Sequence, residues 1–229
     1  MLNEKKIIVI IPARGGSKGI PKKNLKEFIG KPLVEHSIDY AKESKFVDQI
    51  ILSTDDIKIM SIGQKHKITS VERPKEIAGD SATTESAIDH VIDKFNFSKQ
   101  TIIILLQPTS PLRPSKSLDK MLNIFVKEKY DSMLTLSPIH PLTWRSHNDN
   151  LKCMYDYSNR PRRQDFKDKD LIYDENGSVY IFTTKIFKEK RNRLGGKIGN
   201  YIFKEEYGKQ IDTPLDFKIL EAIGCFLKK

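Results

Sequence analysis

The sequence is poor in cysteine and lacks any long apolar run. Its two cysteines, Cys153 and Cys225, lie far apart and in unlike surroundings, so we expect neither a disulfide framework nor a cysteine-based metal cluster. No apolar stretch approaches the roughly 18 to 20 residues that a membrane-spanning helix needs. The apolar run that ends at Pro12 is too short, and too soon followed by charge, for a secretory signal. These absences favour a cytoplasmic protein.

The composition is that of a globular domain with a surplus of positive charge. A chain of 229 residues, 38% hydrophobic and 31% charged, fits a single α/β domain with room for about six or seven strands. The formal net charge is +10, and residues 1–31 hold eight Lys and Arg against two acids. A surplus concentrated in one stretch favours a focused anionic ligand, with a nucleic-acid-binding protein as the non-enzymatic alternative.

The first apolar run ends in a loop rich in glycine and positive charge. Residues 7–11 are five β-branched residues in a row, and residues 12–24 contain three glycines, two prolines, an arginine and three lysines. Such a run is typical of a buried strand, and glycine lets the backbone approach an anion closely. Arg14, Lys18 and Lys23 would then supply positive charge around a triphosphate.

Two familiar phosphate-binding motifs do not fit this loop. A P-loop has Gly-Lys-Ser/Thr five residues after its first glycine, and no glycine of the loop has that spacing. The triplet Gly15, Gly16 and Gly19 also departs from the dinucleotide pattern Gly-x-Gly-x-x-Gly. The loop therefore predicts a nucleotide site of another kind. The alternative is an ordinary strand-to-helix connection with solvated lysines.

Strand and amphipathic-helix patterns alternate along most of the chain. This alternation predicts a right-handed, doubly wound, parallel sheet, and the wholly apolar stretch 101–106 is expected near its centre. Further strands are predicted at 49–53, 68–71 and 132–137. Helices are predicted to begin at Pro32, after Asp56, near Leu118 and at Pro214. One more helix is predicted after a cap at Asp80 or Ser81, and the helix from Pro214 is predicted to be capped by Asp212 or Thr213.

The pattern breaks between residues 138 and 174. A short strand is predicted at 151–155, away from the main sheet. Trp144, Met154 and Tyr155 would be costly to expose in water, so this arm is predicted to contact another subunit. We treat residues 1–229 as one domain that carries this arm.

Polar residues follow several of the predicted strands. The prolines of residues 108–114 make a rigid loop at the carboxyl end of a strand, where open α/β sheets bind ligands. Gln107 opens this loop, and Arg73 follows an earlier strand. By themselves, Gln107 could be a loop-stabilising amide and Arg73 a surface charge. The three arginines of residues 160–163 fit either a solvated charge run or a fork for carboxylate and phosphate.

Four motifs in order resemble the CMP-sialic acid synthetase (acylneuraminate cytidylyltransferase) family. A strand that ends in Ser-Thr-Asp, here residues 53–55, is also common in that family. The resemblance runs from residue 11 to residue 216, with looser matches at 138–159 and 182–208. The motifs are residues 11–24, the Arg-Pro-x-x-Ile-Ala-x-Asp segment 73–80, the Leu-Gln-Pro-Thr-Ser-Pro-Leu-Arg segment 106–113, and the Arg-Pro-Arg-Arg-Gln-Asp segment 160–165 followed by residues 174–181.

The resemblance implies a fold, a reaction and a set of site residues. The implied fold is a three-layer, doubly wound, mostly parallel α/β sheet of the nucleotide-diphospho-sugar transferase type. The implied reaction joins CTP to an acidic nine-carbon sugar and releases pyrophosphate. The implied catalytic residues are Arg14, Lys23 and Gln107, and the implied nucleotide-binding residues are Arg14, Gly15, Ser17, Lys18, Lys23, Asn24, Arg73, Asp80, Ala82 and Thr84. The implied sugar-binding residues are Gln107, Arg163, Gln164 and Tyr180, the last as a pocket wall.

The resemblance also implies Mg²⁺ as cofactor and a homodimer joined by the 138–174 arm. Family members often carry Asp-Ile-Asp near the C-terminal helix, where this chain has Gln210-Ile211-Asp212. Asp212 is therefore the predicted metal ligand, and a site with two carboxylates is in doubt. A cytidylyltransferase for the eight-carbon sugar acid Kdo or for pseudaminate, and a sugar-1-phosphate nucleotidyltransferase, are the alternative enzymes.

Overall fold

The computed structural model describes residues 5–17, 19–148, 150–167 and 171–227, without the side chains of His147 and Arg163. The chain alternates between strands and helices. In order, the elements are β1 (Ile7–Pro12), β2 (Glu27–Phe28), β3 (Lys31–Pro32), α1 (Leu33–Lys42), β4 (Gln49–Thr54), α2 (Ile57–Lys65), β5 (Thr69–Glu72), α3 (Thr84–Phe95), β6 (Ile102–Leu106), α4 (Ser117–Lys127), β7 (Ser132–Ile139), β8 (Trp144–His147), β9 (Asn150–Cys153), β10 (Ile172–Thr183), α5 (Thr184–Lys190), β11 (Ile198–Ile202) and α6 (Pro214–Leu227).

Seven of these strands form one central sheet in the order β11-β7-β10-β6-β1-β4-β5. All neighbouring pairs are parallel except those of β10, which runs antiparallel to both β6 and β7. The prediction of a doubly wound, mostly parallel sheet is confirmed. The apolar stretches predicted to be buried strands are β1 and β6, which lie side by side near the centre of the sheet.

Side chains of β1 point alternately to two apolar layers. Ile7, Val9 and Ile11 pack with residues of α1 and α4 on one face. Ile8 and Ile10 pack with residues of α3 on the other face. Because helices cover both faces, every position of this strand is apolar, as expected for a parallel strand buried on both sides.

A third apolar cluster joins the opening loop to the end of the chain. Ile20 of the loop packs with Ile211 and with Phe217 and Leu220 of α6. This cluster holds residues separated by nearly the whole sequence against each other. It places the 210–212 segment beside the opening loop.

The helix starts differ in detail from the sequence predictions. Thr83 caps α3, because its Oγ1 accepts a hydrogen bond from the Ser86 amide at 3.1 Å, so the prediction of a cap at Asp80 or Ser81 was wrong. The amide of Ala82 instead donates to the Gly79 carbonyl, which makes residues 79–82 a turn before the helix.

The Asn-Gly pair at 176–177 lies within β10 and forms a bulge. The register of β10 on β7 shifts between Glu175 and Tyr180, and Gly177 has a positive φ of 62° that favours glycine. The side chain of Asn176 is buried and bonds Thr135 and Ser137 of β7. The bulge is therefore anchored to the neighbouring strand.

The 138–174 arm contains a small hairpin made of β8 and β9, separate from the main sheet. Trp144 packs edge-on against Tyr155 and is 53% exposed, and Leu151 is 70% exposed.

Within the described ranges, none of the helices combines the length and apolarity needed to span a membrane.

The first turn of α6 depends on a carboxylate. Asp216 accepts hydrogen bonds from the amides of Thr213 and Asp212 and from the Thr213 hydroxyl, and its own amide donates to Thr213 Oγ1. The predicted cap at Thr213 is thus confirmed. The bonds from Thr213 hold the pKa of Asp216 below its ordinary value of 3.8.

We expect Asp216→Asn to lower the melting temperature at pH 7. A carboxylate with a depressed pKa stabilises the fold above its unfolded pKa of about 3.9, and this stabilisation is lost as the pH falls through the folded pKa. The difference from wild type should therefore shrink below about pH 4. Thermal melts from pH 3 to pH 8 would test this, with Glu221→Gln on the same helix as control. A difference that is constant across the series would contradict it.

Candidate functional site

A cavity of about 250 Å³ opens where β1, β5 and β6 end. Parallel strands bring their carboxyl ends to one edge of a sheet, so loops that are distant in sequence meet there. We call it the basic cavity. Its lining residues are Pro12, Arg14, Gly16, Ser17, Lys23, Asn24, Arg73, Ala82, Thr83, Thr84, Gln107, Pro108 and Thr109.

The loop after β1 is held in place by its backbone. The Gly15 amide donates to Asp55 Oδ1 at 2.8 Å, and Asn24 Nδ2 donates to the Arg14 carbonyl at 2.8 Å. Arg14 Nη1 donates to the Gly79 carbonyl and lies 3.0 Å from Asp80 Oδ1. Asp80 therefore contacts the site through Arg14, and Gly15 contributes its backbone to the loop.

Arg73 is a buried cation on the wall of the basic cavity. Its Nε donates to Ser53 Oγ at 3.2 Å and its Nη2 donates to the Ser53 carbonyl at 2.8 Å. Burial lowers the pKa of Arg73, while the charge of Asp55 acts in the opposite direction. In the part of the chain that the structure describes, no carboxylate forms an ion pair with Arg73. An anionic or carbonyl-bearing ligand in the cavity would lower the cost of burying this charge.

Lys23 links the opening loop to the 210–212 segment. Its Nζ donates to the Ile211 carbonyl at 2.7 Å and lies 3.8 Å from Asp212 Oδ1. The Lys23 side chain is 12% exposed and that of Asp212 is 73% exposed. Burial lowers the pKa of Lys23, Asp212 opposes this shift, and Arg14 adds to it. Lys23 thus places a charge against the cavity in partly dry surroundings, where electrostatic interactions are stronger.

The opening loop and the 210–212 segment are in direct backbone contact. A Cβ at Gly19 would lie 2.3 Å from the Asp212 carbonyl oxygen, so only glycine fits there. The Ile211 amide donates to the Thr109 carbonyl at 2.7 Å. The segment that carries Asp212 is therefore fixed to two loops of the basic cavity.

A second cavity of about 360 Å³ is lined in part by Gln210 and Asp212 of the 210–212 segment. We call it the acidic cavity because its lining includes five carboxylates. These are Asp174, Glu175, Glu205, Asp212 and Asp216, together with Gln210, Lys209 and His140 among others. A Cβ at Gly177 would lie 2.7 Å from the Gln210 amide, so the Gln210 side chain packs on the β10 bulge.

The predicted sugar-binding residues are only partly brought to these cavities. Gln107 lines the basic cavity. Tyr180 is buried in the apolar layer beside α3 and lies under Arg193. Its hydroxyl donates to Glu175, which lines the acidic cavity, and its role as a pocket wall stays a prediction. Gln164 is exposed in a short 3-10 turn.

Two predicted residues fall outside what the structure describes. Lys18 is not among the described residues, and the side chain of Arg163 is not described. In the same motif, Arg162 and Asp165 are paired with each other through two side-chain hydrogen bonds. One of the three arginines is thereby committed to a local contact.

Sequence reasoning missed several wall residues. Thr83 and Thr109 flank predicted residues, and their hydroxyls near rigid loops are the signal that could have indicated them. Asp55 was read only as a strand end, although it fixes the Gly15 amide. Ser53 was missed because its contact with Arg73 joins two different strand ends.

The oxygen ligands near Asp212 suit a hard divalent cation that is also coordinated by the substrate of the protein. Within the described residues, no group of three or more His, Cys, Asp or Glu side chains is arranged to hold a metal ion. Asp212 offers one exposed carboxylate, whereas Asp216 is engaged with Thr213. Mg²⁺ is commonly held by one or two carboxylates, with substrate phosphates and water completing its shell, so Asp212 fits Mg²⁺.

The chain matches a family model described as cytidylyltransferase over residues 8–223. It is 33% identical over 224 residues to N-acylneuraminate cytidylyltransferase A of Danio rerio, covering 94% of this chain and 50% of that protein. It is 30% identical over 225 residues to the N-acylneuraminate cytidylyltransferase of Streptococcus agalactiae serotype V, covering 96% and 53%. The chain thus spans about half the length of the curated relatives it matches.

Solved structures share the fold. A CMP:2-keto-3-deoxy-manno-octonic acid synthetase complexed with CTP aligns with a TM-score of 0.71 at 17% identity, covering 97% of this chain and all of the other. A 4-diphosphocytidyl-2C-methyl-D-erythritol synthase from Anaerococcus prevotii aligns with a TM-score of 0.67 at 18% identity, covering 98% and 99%. At these identities the likeness concerns the fold alone.

Proposed function

The chain belongs to the cytidylyltransferase family, and on that premise we propose that it transfers CMP from CTP to an acidic nine-carbon sugar and releases pyrophosphate. N-acetylneuraminate or a close relative such as legionaminate is the proposed acceptor, because the relatives above are named for N-acylneuraminate. One observation carries the proposal. The basic cavity gathers Arg14, Lys23 and Arg73 beside Gln107 at the carboxyl edge of the sheet.

The geometry supports a division of labour among these residues. Arg14 and Lys23 would hold the phosphates and stabilise the charge that develops as pyrophosphate leaves. Arg73, with the hydroxyls of Thr83 and Thr84, would bind the cytidine. Gln107 would orient the anomeric hydroxyl of the sugar for in-line attack at the α-phosphorus. Among the described residues that line the basic cavity there is no His, Asp or Glu, and we assign them roles in charge stabilisation and orientation.

We also propose Mg²⁺ as the cofactor, held by Asp212 and substrate oxygens. When bound, the ion would neutralise phosphate charge and orient the phosphates. Lys23 lies next to Asp212 and would keep its ammonium on the same phosphates. Gln210, which faces the β10 bulge, would supply no charge to the ion.

Pyrophosphate release tests the proposed reaction. We expect release with CTP, Mg²⁺ and N-acetylneuraminate or legionaminate, and little or none when ATP, GTP or UTP replaces CTP. The sugar panel should include pseudaminate and Kdo, since a preference for either would replace the acceptor proposed above. Absence of release with every sugar, together with salt-sensitive oligonucleotide binding, would instead favour the nucleic-acid-binding alternative.

We further propose that the 138–174 arm joins two copies of the chain. The arm exposes Trp144, Leu151, Met154 and Tyr157, and exposed apolar groups of this size are typical of protein contacts. Leu151→Asp should shift the protein from dimer to monomer in analytical ultracentrifugation, while Lys152→Gln on the same strand should not. A monomeric wild type at micromolar concentration would contradict the proposal.

A further inference from the structure

Arg113 is a partly buried cation behind the loop that follows β6. Its Nη2 donates to the Gln107 carbonyl at 2.7 Å and to the Ser178 carbonyl at 3.1 Å. Its Nη1 donates to Ser37 Oγ of α1 at 3.1 Å, and the guanidinium lies over the Tyr40 ring at 5.4 Å from the centroid. One side chain thus joins the loop, β10 and α1.

This charge has no counter-ion in the described part of the chain. Burial lowers the pKa of Arg113 to about 10, so the guanidinium stays charged at neutral pH. A charge that is partly removed from water without a carboxylate partner is costly, and here two carbonyls, a hydroxyl and an aromatic face compensate it. An apolar residue at this position would leave the Gln107 and Ser178 carbonyls without this donor. The planar fork of arginine reaches both of them at once.

The two carbonyls that Arg113 binds belong to two different parts of the site, the loop after β6 and the β10 bulge. Gln107 lines the basic cavity, whereas Ser178 lies in the β10 bulge on which Gln210 packs. A second contact supports the same junction, since Ser110 Oγ donates to the Asn176 carbonyl at 3.1 Å. Arg113 itself is not among the residues that line the basic cavity. It therefore acts on a ligand only through other residues.

We propose that Arg113 is a positioning residue, which sets Gln107 in the basic cavity by binding its main-chain carbonyl and the β10 bulge together. The inference rests on the proposed function, in which Gln107 orients the attacking hydroxyl. A displacement of about 1 Å in such a group costs about 10²-fold in rate. Binding of CTP should change little, because its contacts are assigned to Arg14, Lys23 and Arg73.

Arg113→Ala tests this separation of turnover from binding. We expect kcat to fall about 10²-fold, with the KM for CTP and the calorimetric Kd for CTP within about threefold of wild type. Methylguanidinium at millimolar concentration should restore about a tenth of the lost rate or more, because the deleted side chain leaves space for it. Arg191→Ala, at an exposed arginine paired with Asp89, should keep wild-type kcat and should not respond to methylguanidinium.

If Arg113→Ala does not fold, Arg113→Lys tests whether Arg113 affects turnover without affecting CTP binding. Lysine keeps the charge but not the planar fork, so we expect kcat at least about tenfold below wild type at unchanged CTP affinity. A kcat within about threefold of wild type in either folded variant would overturn the inference, as would loss of folding in both, which would assign Arg113 to stability alone. A wild-type enzyme inactive with every sugar would instead overturn the proposed function and this inference with it.

Discussion

Lys23→Ala is expected to lower kcat about 10³-fold while the protein remains folded. The Lys23 ammonium is largely buried beside the basic cavity and lies between the Ile211 carbonyl and Asp212. Removing one preorganised donor from a developing oxyanion typically costs about 10²- to 10³-fold. The loss of rate should reach the upper end of this range because the positive charge of Lys23 also attracts and partly neutralises the negative phosphates. Steady-state kinetics with CTP and N-acetylneuraminate, together with circular dichroism, would measure both parts.

The neighbouring lysine is the matched control. Lys22 is exposed and precedes Lys23 directly in the same loop, so Lys22→Ala removes an equal charge without touching the cavity wall. We expect its kcat within about threefold of wild type. Equal losses in the two variants would mean that the loop acts by its overall charge and not through the placed ammonium of Lys23.

Asp212→Asn is expected to raise the Mg²⁺ concentration needed for half-maximal rate by 10-fold or more. Family members often have a second carboxylate where this chain has Gln210, so the single charge of Asp212 would carry the protein's share of the binding. We expect a fall in kcat at about 1 mM Mg²⁺ of roughly 10²-fold, partly recovered at higher Mg²⁺. A titration of rate against Mg²⁺ measures this shift.

Asp174→Asn is the control that distinguishes a direct metal ligand from an effect of the overall negative charge of the acidic cavity. Asp174 is exposed and lines that cavity with Asp212. Its substitution should leave the Mg²⁺ dependence within about twofold of wild type, since exposed charges at a distance are largely screened. If both variants shift the Mg²⁺ dependence equally, the acidic cavity as a whole attracts the cation and the assignment to Asp212 fails.

Much of the fold was predictable because local patterns agree with the final topology. The wholly apolar stretches at β1 and β6 indicated strands buried on both faces, and they are adjacent in the sheet. The loops at the carboxyl ends of β1, β5 and β6 were predicted to carry ligand residues, and Arg14, Lys23, Arg73 and Gln107 line one cavity. Parallel topology alone brings such loops together.

The β10 bulge is the reason that the surroundings of Tyr180 could not be predicted from the sequence. Side chains of a strand alternate between its two faces, and an inserted residue reverses that alternation downstream. The shift between Glu175 and Tyr180 is not visible in the hydrophobic pattern. The buried contacts of Asn176 with Thr135 and Ser137 keep the Asn-Gly pair within the strand.

Contacts between distant segments were also beyond sequence reasoning. Lys23 lies 188 positions from Ile211, whose carbonyl accepts its hydrogen bond, and it also pairs with the next residue, Asp212. No local sequence pattern indicates such proximity. The close approach of Gly19 to the Asp212 carbonyl depends on the third apolar cluster, which packs Ile20 against Ile211 and α6. The proposed role of Arg113 likewise rests on three elements that meet only in the folded protein.

Identification of the products tests the proposed function most directly. ³¹P NMR and mass spectrometry of a reaction with CTP, Mg²⁺ and N-acetylneuraminate or legionaminate would follow both products at once. We expect a CMP-sugar with one phosphodiester phosphorus, formed in equal amount with pyrophosphate and only when the sugar is present. Conversion of CTP to free CMP and pyrophosphate without sugar incorporation, or no reaction with any sugar acid, would contradict it.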